Sequence, residues 1–228
     1  MNAVVKQLTE VRKKVAEATL AAGRELGSVG LLAVSKRQAA NELLSAYQEG
    51  QRNFGENYLQ EALDKQKLLS HCEITWHFIG PIQSNKTRAI AENFDWVHSV
   101  DRFKIAKRLS EQRPKEKGLL NICLQINISD EETKSGLSVS ELPELMKAVS
   151  ALPNLRLRGL MAIPAKGFAN SDEQRAPFAR LREMFEKMKA QGYPLDTLSM
   201  GMTEDLEIAI SEGATWVRIG RAIFGERD

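Results

Sequence analysis

Eight short apolar segments recur along the chain, and a helical pattern follows each of them. The predicted strands begin near residues 31, 52, 74, 96, 119, 155, 197 and 216. Strands that alternate with helices are typical of βαβ units and a parallel sheet. Eight such units in 228 residues predict an α/β fold, a single (β/α)8 TIM barrel in one domain over residues 1–228. An extra N-terminal helix is predicted before the first strand, because Val4, Leu8, Val11 and Val15 recur at helical spacing.

A doubly wound open sheet is the alternative arrangement of such units. No Gly-x-Gly-x-x-Gly sequence follows any predicted strand. The phosphate-binding turn of dinucleotide-binding sheets is therefore missing. The closed barrel is the favoured architecture.

Charge and cysteine content exclude several functional classes. Lys and Arg total 32 against 30 Asp and Glu, and this balance does not favour a nucleic-acid partner. Two cysteines without paired spacing fit a reducing compartment, and no apolar run has the length of a signal peptide core or a membrane span. We expect a cytoplasmic protein with no membrane partner, and a monomer. No metal is expected, because His71, Cys72 and His77 lack the spacing of a four-ligand site.

The first predicted strand, Leu31 to Lys36, ends in a lysine. Side chains alternate along a strand, so Lys36 shares a face with the apolar Leu32 and Val34. Desolvation lowers the pKa of a lysine, and a neutral amine attacks carbonyl carbon. Lys36 is therefore either a surface lysine that turns into solvent at the strand end or a nucleophile for an aldehyde.

Strands seven and eight lead into segments that suit an anion. In barrels, phosphate often binds between the loops after these two strands and the N-terminus of a short extra helix. The residues at this place are Ser199, Gly201, Met202, Gly220 and Arg221. They predict a phosphate site at the carboxyl end of the barrel.

Arg218 adds a positive charge beside that site. It alternates with Val217 and Ile219 on strand eight, so its side chain points towards the barrel mouth. A buried guanidinium needs an acceptor, which is either a carboxylate such as Glu56 or a ligand. A lysine for an aldehyde, an anion site and an arginine for an acceptor together describe pyridoxal 5′-phosphate (PLP).

Six segments carry a resemblance to a known family. They are LLAVSK at 31–36, FGENY at 54–58, WHFIGPIQSNK at 76–86, GLMAIP at 159–164, LSMGM at 198–202 and VRIGRAIFG at 217–225. In this order the segments resemble the YggS/PROSC family of pyridoxal phosphate homeostasis proteins. That family in turn resembles the N-terminal barrel domain of bacterial alanine racemase.

The resemblance implies a role for eight residues in cofactor binding. Lys36 would form the Schiff base with PLP, Arg218 would contact the pyridine nitrogen, and Asn57 would lie near the ring. The residues implied around the phosphate are Ser199, Gly201, Met202, Gly220 and Arg221. Position 221 is often threonine in this family, and a contact through the backbone N–H would be little changed by arginine.

The resemblance also implies a PLP carrier in intracellular vitamin B6 homeostasis rather than an efficient enzyme. Alanine racemases use a tyrosine from a second domain as the opposing acid–base group, and we expect no such domain in this sequence. Arginine at the pyridine nitrogen leaves that nitrogen unprotonated, unlike the acidic partner that makes the ring a strong electron sink. A weak PLP-dependent amino acid racemase is the first alternative. A cofactor-free aldolase that uses Lys36 is the second.

Overall fold

The computed structural model describes residues 3–129, 135–165 and 171–225 and confirms the predicted barrel. Eight parallel strands pair in chain order, and the eighth pairs with the first to close the barrel. The strands are β1 (Gly30–Val34), β2 (Asn53–Glu56), β3 (Thr75–Phe78), β4 (Trp96–Val100), β5 (Leu120–Ile126), β6 (Leu155–Ala162), β7 (Thr197–Ser199) and β8 (Trp216–Ile219). Each begins within about one residue of its predicted start, because strands buried on both faces are near-continuous apolar runs.

Helices form the outer layer around the barrel. They are α1 (Ala3–Ala21), α2 (Ala40–Gln48), α3 (Leu59–Leu68), α4 (Thr87–Asn93), α5 (Phe103–Gln112), α6 (Leu142–Ser150), α7 (Ser171–Ala190), α8 (Leu206–Ser211) and α9 (Arg221–Phe224). Short 3₁₀ turns lie at Ser84–Lys86, Lys115–Lys117 and Val139–Glu141. The predicted extra helix, α1, packs across α8 and α9.

The main apolar core lies between the strands and the helices. Its largest fully buried side chains include Phe54, Phe94 and Phe178. The barrel interior is more polar, because His77, His98 and Arg218 are also buried there beside apolar side chains. This polar interior lies directly beneath the strand ends that position the site.

Three further findings concern membrane-spanning helices, metal-ligand groups and cysteines. Within the described ranges, none of the helices combines the length and apolar character that crossing a bilayer requires. The same ranges contain no group of three or more His, Cys, Asp or Glu side chains arranged for a metal ion. Cys72 and Cys123 are free thiols.

Candidate functional site

A cavity opens at the carboxyl ends of the barrel strands. Its volume of about 520 Å³ lies in the range of small-molecule and cofactor pockets, about 300–1,000 Å³. The lining residues are Val34, Lys36, Asn57, Ile79, Ile163, Met202, Thr203, Glu204, Arg218, Gly220 and Arg221. Six of the eight residues implied by the sequence are among them, whereas Ser199 and Gly201 are not.

Lys36 lies just beyond β1, half-buried, on the wall of this cavity. Ser35 still bonds to the sheet, because its N–H donates to the carbonyl of Gly55 at 3.0 Å. Arg37 then has a φ of 60°, a left-handed conformation that residues other than glycine rarely adopt. The strand therefore ends in a sharp turn that directs Lys36 into the cavity.

Asn57 follows β2, and its position depends on Gly80, which follows β3. A Cβ atom at residue 80 would lie 2.1 Å from the backbone oxygen of Asn57, so only glycine allows this close approach. The Oδ1 atom of Asn57 is buried and has no hydrogen-bond partner in the described part of the chain. Leaving such an atom unpaired costs about 1–3 kcal/mol. The unpaired Oδ1 atom therefore suits a cavity whose polar contacts are completed by a ligand.

Ser199 lies beneath the cavity in a hydrogen-bond chain through the barrel interior. Arg218 Nη1 donates to Ser199 Oγ at 2.9 Å, and this hydroxyl lies 2.7 Å from Nδ1 of His98. His98 Nε2 is 3.0 Å from Nδ1 of His77, whose Nε2 is 3.0 Å from Oδ1 of Asn53. A guanidinium only donates and an amide oxygen only accepts, so every bond in the chain runs from Arg218 towards Asn53.

The charge states of these groups follow from their burial. Burial lowers the pKa of His77 to about 3 and the pKa of His98 well below its ordinary value. Both rings are therefore neutral, and each can donate once and accept once, as the chain requires. Burial also lowers the pKa of Arg218 to about 10, which leaves its guanidinium charged at neutral pH.

Arg218 is held by neutral acceptors rather than by a carboxylate. Nη1 donates to the backbone oxygen of Ser199 at 2.6 Å, and Nη2 donates to that of Ala162 at 2.9 Å. Glu56, the carboxylate considered from the sequence, instead accepts hydrogen bonds from Ser35 and Lys65. The positive charge of Arg218 is therefore not neutralised by Glu56, and its guanidinium lines the cavity.

The loop after β7 turns at Gly201, which has a φ of 95°. A Cβ atom at this position would lie 2.6 Å from the Cβ atom of Ala209, so Gly201 allows α8 to pack closely. The N–H of Met202 donates to Oδ1 of Asp205 at 2.5 Å. Thr203, which follows, lines the cavity. Sequence reasoning missed this residue, although a hydroxyl immediately after Met202 in the strand-seven loop was a usable signal.

The loop after β8 leads directly into α9, the predicted short extra helix. Gly220 precedes this helix and Arg221 begins it. The first N–H groups of a helix have no partner within it and attract anions. Arg221 Nη2 also pairs with Oε1 of Glu204 at 3.1 Å, and both side chains line the cavity. This side of the cavity can therefore hold a phosphate group.

The chain is similar to one protein family and to proteins that share a single name. The chain matches the model of the alanine racemase N-terminal domain over residues 9–228. It is 58% identical over 228 residues to the pyridoxal phosphate homeostasis protein of Pseudomonas aeruginosa, covering 100% of this chain and 97% of the relative. It is 50% identical over 234 residues to the protein of the same name from Escherichia coli K12, covering 100% and 98%.

Similar folds occur among solved structures. PipY of Synechococcus elongatus, in a structure with PLP bound, is 36% identical with a TM-score of 0.85, covering 97% of this chain and 100% of PipY. Alanine racemase from Corynebacterium glutamicum is 18% identical with a TM-score of 0.73, covering 99% of this chain and 61% of the racemase. At 18% identity, the similarity to alanine racemase shows a shared fold.

Proposed function

Because the chain belongs to the family of pyridoxal phosphate homeostasis proteins, within the wider family of the alanine racemase N-terminal domain, we propose that it binds PLP and serves cytoplasmic vitamin B6 homeostasis. Bound PLP supplies an aldehyde that joins covalently to a lysine amine. One observation carries the proposal: Lys36, Arg218 and the start of α9 meet in a single cavity. The related PipY structure has PLP bound.

Seven of the eleven described lining residues have a role in this proposal. Lys36 provides the amine, Arg218 donates towards the pyridine nitrogen, and the amide of Asn57, with its unpaired oxygen, lies beside the ring. The residues proposed to bind the phosphate from the lining are Met202, Thr203, Gly220 and Arg221. We also propose that the protein binds PLP as a monomer.

Ser199 and Gly201 support the same site from behind its lining. Ser199 holds Arg218 through both its hydroxyl and its carbonyl oxygen. Gly201 forms the turn that brings Met202 and Thr203 to the cavity. We propose that these two residues act on the cofactor through the residues they position.

We further propose that this protein holds and releases PLP and turns over amino acids slowly. The charged Arg218 favours an unprotonated pyridine nitrogen, which is a weak electron sink. Among the described lining residues, Glu204 is the only carboxylate and there is no tyrosine or histidine. The loss of one positioned acid–base group typically costs about 10²–10⁴ in rate. A carrier therefore suits the site better than a racemase.

Exchange of the α-proton of amino acids tests this proposal. PLP-loaded protein is incubated with alanine or serine in deuterium oxide, and incorporation at the α-carbon is followed by NMR. The PLP-loaded protein is expected to retain its cofactor and to exchange far more slowly than the enzymatic median of about 10 s⁻¹. Exchange near that rate, absent from Lys36→Ala, would establish a racemase-like enzyme instead.

A further inference from the structure

A largely buried group of charged side chains lies behind the segment that carries Lys36. It consists of Glu56 at the end of β2, and Glu61 and Lys65 on α3 (the Lys65 cluster). Lys65 is only 5% exposed, and its ammonium donates to Glu56 Oε1 at 2.8 Å and to Glu61 Oε1 at 2.6 Å. Its remaining bond goes to the backbone oxygen of Ser35 at 2.6 Å. The three members of the cluster lie outside the described lining of the cavity.

The Lys65 cluster bonds to the backbone on both sides of Lys36. On one side, Ser35 accepts from Lys65 through its carbonyl and donates to Glu56 through its hydroxyl at 2.6 Å. On the other side, the N–H of Arg37 donates to Glu61 Oε1 at 2.5 Å. Arg37 has the left-handed φ of 60°, a conformation that persists only where its surroundings hold it. Glu61 supplies one such restraint.

The contribution of the Lys65 cluster to the free energy of unfolding does not by itself explain this arrangement. A buried ion pair often contributes no more than apolar side chains of the same volume would. Burial raises the pKa of Glu56, so ionising this carboxyl is less favourable here than in water. What the cluster achieves is a fixed backbone at the two residues that flank Lys36.

We propose that Glu56, Glu61 and Lys65 are positioning residues for Lys36, and this inference rests on the proposed function. The Lys36 nitrogen adds to an aldehyde carbon, a C=N bond forms, and one water leaves, so no oxidant or reductant is required. The rate of such a step depends on how the two reacting atoms are aligned. The proposed phosphate contacts belong to other elements, after β7 and β8. A variant of the Lys65 cluster should therefore slow the formation of the C=N bond at Lys36 without weakening the non-covalent binding of the phosphorylated ligand.

Glu61→Ala tests this separation. The Glu61 side chain is 27% exposed and lies in the first turn of α3, where alanine favours the helix. Two probes are used: PLP, and pyridoxine 5′-phosphate, whose alcohol replaces the aldehyde and reports non-covalent binding alone. Covalent capture is followed by borohydride quenching at timed intervals and mass spectrometry of the Lys36 peptide.

The expected result is a selective kinetic defect. Capture by Glu61→Ala should be about tenfold to a hundredfold slower, because a misplacement of about 1 Å can cost 10²-fold. Affinity for pyridoxine 5′-phosphate should be unchanged. Glu61→Gln keeps an oxygen for the N–H of Arg37 and should restore most of the rate. Asp64→Ala removes an exposed carboxylate of the same helix, which accepts from Gln60, and should behave as wild type.

Three outcomes would overturn the inference. A wild-type capture rate in Glu61→Ala would show that Lys36 does not depend on the cluster. An equal loss of affinity for both probes would show a general structural role. If the wild-type protein bound neither probe, the proposed function would fail together with the positioning role, a result clearly distinct from the first two.

Discussion

Replacing Ser199 with alanine separates a direct role at the phosphate from a supporting role beneath Arg218. Its place at the end of strand seven and the family resemblance both predict Ser199 at the phosphate. The structure instead places its hydroxyl between Arg218 and His98, at 2.9 and 2.7 Å, and outside the cavity lining. We therefore expect Ser199→Ala to destabilise the folded protein without abolishing its preference for a phosphorylated ligand.

The size of the effect follows from the two bonds that are lost. The hydrogen bond from the charged Arg218 contributes about 1.5–3 kcal/mol, and leaving Nδ1 of His98 buried without a donor costs about 1–3 kcal/mol. These losses share one network and do not simply add. Arg218 also keeps its bonds to the carbonyls of Ser199 and Ala162. The expected loss in the free energy of unfolding is about 2–4 kcal/mol.

Two measurements check this prediction. Urea denaturation gives the change in stability, with Ser150→Ala as an exposed serine control that should stay within about 0.5 kcal/mol of wild type. Titrations with PLP and with pyridoxal give the contribution of the phosphate group, which should be retained in Ser199→Ala. Unchanged stability together with loss of the preference for PLP would refute the supporting role and place Ser199 at the phosphate.

Three further predictions concern other parts of the site. Thr203→Val should weaken PLP binding by about 1.5–3 kcal/mol, one hydrogen bond to a charged group, and leave pyridoxal binding unchanged; equal weakening of both ligands in titrations would contradict a phosphate contact. Gly80→Ala should displace Asn57, because the new Cβ would lie 2.1 Å from its backbone oxygen, and a thermal melt with an unchanged midpoint would contradict this. Since the pKa of His77 is lowered from 6.5 to about 3, the unfolded chain binds that proton first, and His77 should lower the free energy of unfolding by up to about 1.4 kcal/mol per pH unit as the pH drops from 6.5 towards 3. His98, whose pKa is also lowered, adds to this fall. His77→Gln should therefore reduce the slope in denaturation curves without removing it, and an unaltered slope would contradict a contribution from His77.

The sequence predicted the barrel because its strands are apolar on both faces and bounded by turns. The position of Lys36 then followed from its place at the end of the first strand, that of Arg218 from the alternation of side chains on strand eight, and that of Asn57 from the family resemblance. What could not be predicted was the path of the loop after β7. The turn at Gly201 interrupts the alternation of side chains, so Thr203 faces the cavity.

Contacts between distant strands were equally inaccessible to sequence reasoning. His98 on β4 meets Ser199 on β7 across the barrel interior, and no local pattern encodes such a pairing. Lys65 has the helical spacing of an ordinary surface lysine, yet its three bonds go to Glu56, Glu61 and Ser35. The first network depends on how the barrel closes, and the second depends on where α3 lies against the ends of β1 and β2.

The most direct test of the proposed PLP site is to identify the lysine that reacts with PLP. Purified protein is loaded with PLP, reduced with borohydride, digested and examined by mass spectrometry, with Lys36→Ala treated in parallel. We expect one cofactor per chain, attached at Lys36, and no labelled lysine in the Lys36→Ala variant after the same loading time. Full labelling of the variant, or a wild-type label on a lysine outside the cavity, would contradict it.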